Sequence, residues 1–379
     1  MSAALRLGLF GFSLIAVCYG LARFAFGLFL PQIDADMPLG PTLSGVISGG
    51  AFLAYSLAIT LAAYLTERLG PRAVAISAAL AAAAGMAGIA AAPNAVFLAA
   101  AVMVAGASTG LASPPMAAAV AASVRRDRQE ATNTAINAGT SAGVALSGPI
   151  ALLAGGEWRT AFYGFALAAL ALAVAAWRTV PPTRNAQSAM PAILPPMTDE
   201  IGRLVAAAFL MGAASTAVWS FGGQLASLRL GWGPGGVGAL WTAIGVAGIA
   251  GAFAGALVTR LGIERVHRIF LALMALGILA VGGSFSAAAT TLAGGVLFGA
   301  SYVMLTGVYL VWGVAALPDR PATGLMVGFL TIAIGQTVGA PVFGLLLGRI
   351  GHDEVVLAFA CLGLLAGLLK AQRAAAQPR

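Results

Sequence analysis

The chain has 379 residues, of which 60% are hydrophobic and 8% charged, with a net charge of +8. Soluble domains carry about 25% charged residues, so a globule dissolved in water is excluded. The positive balance invites a nucleic-acid reading, which the placement of the arginines removes.

A membrane span needs about 20 mostly apolar residues, because lipid offers no partner to backbone N–H and C=O groups. Cutting the chain at its charged and Pro/Gly breaks predicts twelve such helices. In order they are Leu7–Leu30, Leu43–Tyr64, Ala73–Ala92, Ala95–Ala118, Ala131–Leu153, Thr160–Trp177, Leu204–Leu225, Val237–Val258, Val266–Gly283, Ala288–Leu317, Ala322–Leu347 and Val355–Leu369. The first is too long for a removable signal peptide, contains Arg23 and lacks a small-residue cleavage site. The 50 glycines suit helices that pack backbone to backbone in lipid. With the N-terminus cytoplasmic, sixteen basic residues fall inside and three (Arg159, Arg229, Arg349) outside, with Arg23 in the membrane. This asymmetry places both termini in the cytoplasm and makes the basic pI a matter of topology, with no nucleic-acid partner. Cys18 and Cys361 read as small core residues, and no disulfide is expected.

The segment from Ala63 to Arg72 concentrates charge between two apolar runs. Gly70 supplies a tight turn, and Pro71 starts the next helix where its missing N–H costs nothing. The pattern returns: Leu65, Arg68, Leu69 and Gly70 match Leu257, Arg260, Leu261 and Gly262 at one offset. Gly40-Pro41 and Gly45 echo Gly233-Pro234 and Gly238, Asp127-Arg128 echoes Asp319-Arg320, and Gly143 with Pro149 echoes Gly335 with Pro341. The chain is therefore two similar halves, residues 1–179 and 202–379, joined by a proline-rich cytoplasmic linker over 180–201.

The loop at 63–72 resembles the signature loop of the major facilitator superfamily of secondary transporters. Leu65, Arg68, Gly70 and Arg72 agree with it, while Glu67 stands where the family has aspartate and Ala63 where it has glycine. Glu157-Trp158-Arg159 with Phe162 looks like the start of the family's sixth helix, and Tyr19–Phe24 with Pro31 resembles the YbfB/YjiJ-like bacterial members. The resemblance implies an all-α integral membrane protein of the bacterial cytoplasmic membrane, with twelve transmembrane helices in two pseudo-symmetric six-helix bundles. It implies secondary transport by rocker-switch alternating access, with the first, fourth, seventh and tenth helices lining a central site.

Several residues become candidates for that site. Tyr19, Arg23, Phe26 and Leu30 share one face of the first helix. A charge in the bilayer costs at least ~2.5 kcal/mol, so Arg23 either attracts an anionic solute or ties a neighbouring helix. Trp219, Ser220 and Gln224 in the seventh helix, and Tyr302, Thr306 and Tyr309 with Trp312 in the tenth, are nominated by the resemblance; each could equally satisfy a helix–helix contact. Asn133, Asn137 and Ser141 make a polar stripe on the fifth helix, Gln336 is a candidate on the eleventh, and Tyr55 could reach the cavity or a gate.

Gly143 and Gly148-Pro149 resemble the glycine–proline motif of antiporter-type members. A Gly-Pro step permits the kink a moving gate needs, or serves packing alone. In the family, the acid of the 63–72 loop latches onto the start of the eleventh helix when the cytoplasmic side is closed. Glu67 takes that role here, near Asp319-Arg320-Pro321 and with Arg125, Arg126 and Arg128 close by; a solvated loop is the alternative.

The arginine that proton-driven exporters carry midway along the fourth helix has no counterpart in Ala99–Ala112, and the predicted spans hold no buried carboxylate. Asp34 is the candidate for ion coupling, and His267 and His352 read as loop residues. There is no clustered Cys/His metal site, Walker loop or serine elbow, so neither an enzyme nor a cofactor is expected. The expected function is transport of a small organic solute, an organic anion if Arg23 contacts it, by a monomer in the lipid bilayer. Efflux of amphipathic compounds is the alternative, and a non-transporting sensor or scaffold is the alternative of another class.

Overall fold

A computed structural model of the chain describes residues 2–182, 197–285 and 287–371, so most of the expected linker lies outside the described residues. All regular structure among them is helical. Eleven helices are long and apolar enough to cross a membrane: Ala3–Asp36, Gly40–Leu69, Pro71–Ala91, Ala95–Ser123, Arg126–Leu153, Trp158–Thr179, Asp199–Trp219, Pro234–Leu261, Ile263–Gly282, Ala288–Ala316 and Thr323–Leu347. The twelfth, His352–Leu365, is shorter and ends in a 3-10 turn, Ala366–Leu368.

Local chemistry explains where these helices start and stop. Asn94 and Thr198 cap the fourth and seventh helices by accepting the N–H of Phe97 (2.9 Å) and Ile201 (3.3 Å). Pro71 and Pro234 occupy first-turn positions. Gly70 and Gly262 end the second and eighth helices at φ 82° and 83°, a left-handed conformation that a side chain would strain. The internal repeat seen in the sequence is thus a repeat of backbone conformation.

The first six helices pack as one bundle and the last six as another. The bundles meet mainly where the second helix crosses the eleventh and the fifth crosses the eighth. Small residues allow close approach at both crossings. A Cβ on Gly45 would lie 2.4 Å from the Ala340 carbonyl oxygen, and one on Gly238 would lie 2.7 Å from that of Gly148. The large apolar side chains left on the surface form stripes, such as Leu53, Leu57 and Leu61 at four-residue spacing on the second helix. Facing lipid, such a stripe carries no hydration penalty.

Four spans among the described residues depart from regular α-helix. Ala16–Phe24 of the first helix is π-helical, the fifth breaks at Ala138, and the eighth tightens to a 3-10 stretch at Ile249–Phe253. The seventh stops at Trp219 and resumes as Gly222–Leu230. Several residues expected elsewhere are corrected by these boundaries. The ninth helix begins at Ile263, so His267 is a buried helical residue, and His352 opens the twelfth helix. Cys18 is buried but Cys361 is exposed on its helix.

Candidate functional site

Two cavities stand out. The larger, about 730 Å³, lies between the fifth, eighth and tenth helices and is lined by Gly148, Pro149, Leu152, Thr242, Val246, Val296 and other apolar residues. Its one side-chain polar group, the Thr242 hydroxyl, already donates to the Gly238 carbonyl at 2.9 Å. Such a groove has nothing with which to orient a polar solute.

The second, about 580 Å³, lies between the two bundles. It is lined by Tyr19, Arg23, Phe24 and Tyr55 of the first bundle, with Glu130, Thr134, Asn137 and Ser141 on the fifth helix. The other bundle adds the irregular stretch of the eighth helix, Tyr302, Thr306 and Leu310 of the tenth, and Phe329, Ile332 and Gln336 of the eleventh. The fifth, eighth, tenth and eleventh helices contribute their halves nearest the loops at 124–125, 262 and 317–320. The cavity therefore opens at the arginine-rich end. At the far end, the glycine contacts of Gly45 and Gly238 hold the bundles shut.

Arg23 lies at the closed end of this cavity, 7% exposed, in the π-helical stretch. Thr109 donates to the Cys18 carbonyl at 2.8 Å. Gly20 and Gly143 meet where a Cβ on Gly20 would lie 2.3 Å from the Gly143 carbonyl carbon, so the fifth helix packs directly on the widened turn. Departures of this kind mark functional positions in many helices. Gly143 thus serves close packing.

The Arg23 guanidinium is surrounded by rings: its Cζ is 4.4 Å from the centroid of Tyr55, 4.7 Å from Phe52, 4.9 Å from Phe24 and 5.9 Å from Tyr19. Its Nη2 donates to Gln336 Oε1 at 2.6 Å, across the two bundles. Cation–π contacts of about 0.5–2 kcal/mol each and a charge-assisted hydrogen bond offset much of the cost of burial without neutralising the charge. No carboxylate pairs with Arg23 among the described residues, and its Nε has no partner. Gln336 is itself held by Tyr302 OH at 3.1 Å and Ser215 Oγ at 3.3 Å.

Of the candidates read from the sequence, Tyr19, Arg23, Tyr55, Asn137, Tyr302 and Thr306 line this cavity. Trp219 does not: it stacks behind Phe24 at 4.0 Å, forming the floor. Gln224 lies beyond the break in the seventh helix, away from the lining. Tyr309 faces away, accepting from His267 Nε2 at 3.0 Å and donating to the Ala207 carbonyl at 3.2 Å. Trp312 donates to Glu200, which also pairs with Arg203. Asp34 is far from the cavity and accepts the N–H groups of Leu39 (2.9 Å) and Gly40 (3.0 Å), closing the turn into the second helix.

At the arginine-rich end, Glu67 makes no hydrogen bond or ion pair among the described residues, and the Arg68 guanidinium sits 4.5 Å from the Tyr64 ring. Arg72 Nε donates to the Val180 carbonyl at 2.7 Å, tying the third helix to the end of the sixth. Sequence reasoning missed Glu130, Thr134, Phe24 and Phe52. Glu130 precedes the predicted start of the fifth helix, Thr134 lies inside it next to Asn133, and the two phenylalanines are apolar residues in apolar runs.

The sequence pattern of the Major Facilitator Superfamily matches residues 12–332. The chain belongs to this superfamily. Solved structures of superfamily transporters share its fold. A variant of the nucleoside transporter NupG superposes with a TM-score of 0.79 at 12% identity, covering 97% of this chain and 98% of that one. A D-xylose–proton symporter gives 0.78 at 16% identity, covering 97% of each chain. The xylose transporter XylE from E. coli, in a partially occluded inward-open conformation, gives 0.76 at 15% identity, covering 97% of each chain. No curated protein matches the sequence. At these identities the likeness concerns the fold, and what this member carries must be argued from its own cavity.

Proposed function

We propose that this superfamily member is a secondary transporter that moves a small organic anion across the bacterial cytoplasmic membrane by alternating access. The observation that carries this reading is Arg23: a buried cation at the closed end of a cavity between the bundles, with no carboxylate partner among the described residues. A charge costly to keep in a membrane is retained where it meets a pathway, and an anionic solute completes its pairing.

The asymmetry of basic residues read from the sequence, sixteen against three, supports a cytoplasmic location for the arginine-rich end and for both termini. The conformation described here is then inward-facing. Closing the arginine-rich end would bring Glu67 to the start of the eleventh helix, while Gly148 and Pro149 flex where the fifth helix meets the eighth. Residues 1–179 and 202–379 move as the two bodies, as a monomer.

The ring-lined walls favour a second reading, export of amphipathic compounds. Thermal unfolding of the purified protein with carboxylates, amino acids, sugars and amphipathic drugs separates the two, since a ligand of the folded state raises its stability by mass action. Stabilisation by carboxylates that vanishes in Arg23→Ala supports the anion reading. Stabilisation by neutral amphipathic drugs alone, unaffected by that substitution, contradicts it. A sensor or scaffold predicts that no solute crosses reconstituted vesicles.

A further inference from the structure

Around Arg23, hydrogen-bond donors outnumber acceptors. Arg23 Nε is buried without a partner. Ser215 donates its proton to the Gly212 carbonyl at 2.7 Å and accepts from Gln336 Nε2. The Tyr302 oxygen also accepts from Gln336 Nε2, and its own proton goes to no other group among the described residues. The one acceptor that Arg23 meets is Gln336 Oε1, at 2.6 Å. Both protons of the Gln336 amide are spent on Tyr302 and Ser215, so its oxygen is aimed at the guanidinium by the second bundle.

We infer that the Gln336 amide oxygen is a placeholder for the substrate's carboxylate, and that the substrate is a monocarboxylate on an apolar, ring-bearing body. This rests on the anion reading above and gives it a chemical class and a specificity residue. A carboxylate that displaces Gln336 Oε1 takes the side-on edge of Arg23, Nε with Nη2, in the bidentate geometry that arginine offers. The Tyr302 proton is then available to it. A neutral amide or a sugar hydroxyl brings no charge to exchange for the bond it must break. One guanidinium compensates one negative charge, so a dianion would bury its second carboxylate against Phe24, Phe52 and Tyr55. Displacement also removes a hydrogen bond between the bundles, so binding loosens the empty, inward-facing state.

The test is equilibrium binding to the full-length protein in detergent with three probes of one shape: benzoate, benzamide and terephthalate. Benzoate should bind, and the other two should bind at least about tenfold more weakly, the size of a charge-assisted hydrogen bond. Gln336→Glu gives Arg23 a carboxylate of its own and should weaken benzoate about tenfold or more. Gln336→Ala, which clears the position, should bind benzoate at least as tightly as wild type. Equal benzoate affinity in wild type and Gln336→Glu, with both proteins monodisperse, overturns the placeholder alone. Equal affinity for benzoate and benzamide overturns the monocarboxylate class. A protein that binds no carboxylate contradicts the anion reading itself.

Discussion

Gly148 and Gly238 meet backbone to backbone where the fifth helix crosses the eighth, and a Cβ on Gly148 would lie 2.1 Å from the Gly238 carbonyl oxygen. Gly45 lies against the Ala340 carbonyl in the same way where the second helix crosses the eleventh. These crossings are the pseudo-symmetric counterparts expected of two repeated halves, and they close the cavity away from the arginine-rich end.

A side chain wedged into this seal should open it. Gly45→Val places three carbons against backbone that cannot yield cheaply, and overpacking costs about 1–3 kcal/mol. Labelling of a cysteine at Ser48, buried beside the seal, by a membrane-impermeant thiol reagent added from outside should accelerate about fivefold or more. Unchanged labelling would mean that these contacts do not hold the far end shut.

Glu67 and Arg72 should separate cleanly, although five residues apart. Arg72 anchors the Val180 carbonyl, so Arg72→Ala should destabilise the protein by about 1–2 kcal/mol in thermal unfolding. Glu67 has no hydrogen-bond or ion-pair partner among the described residues in this conformation, so Glu67→Gln should shift stability by less than about 0.5 kcal/mol. It should nevertheless slow exchange in vesicles, because the contact proposed for it belongs to the other state.

Tyr309 belongs to the interior of the second bundle. Tyr309→Phe strands His267 Nε2 and the Ala207 carbonyl, with an expected cost of about 1–3 kcal/mol in thermal unfolding. Benzoate affinity should not change. A loss of affinity at unchanged stability would return Tyr309 to the cavity.

The contrast between Tyr302 and Tyr309 shows what the sequence could convey. Helix number, the repeat and the family were legible because length, apolarity and the Gly70/Gly262 pair need no tertiary information. The cavity face was only partly legible. Tyr302 and Tyr309 are seven residues apart, on nearly one face of a regular helix but about 10 Å apart along it. At the level of Tyr309 that face is covered by Ala207 and His267. His267 was read as a loop residue although it lies inside the predicted run Val266–Gly283, and the helix itself starts three residues before that run, at Ile263. Gln224 was nominated by the resemblance as part of one continuous seventh helix, which the break after Trp219 interrupts. Arg23 was found because a charge inside an apolar run stands out whatever surrounds it.

The measurement that bears most directly on the proposed role is counterflow of radiolabelled benzoate in vesicles reconstituted with wild type, Arg23→Lys or Arg23→Ala. The account predicts exchange by wild type, weakened exchange by Arg23→Lys, which keeps the charge but loses the planar fork, and background levels for Arg23→Ala. Exchange by Arg23→Ala at the wild-type rate would contradict it.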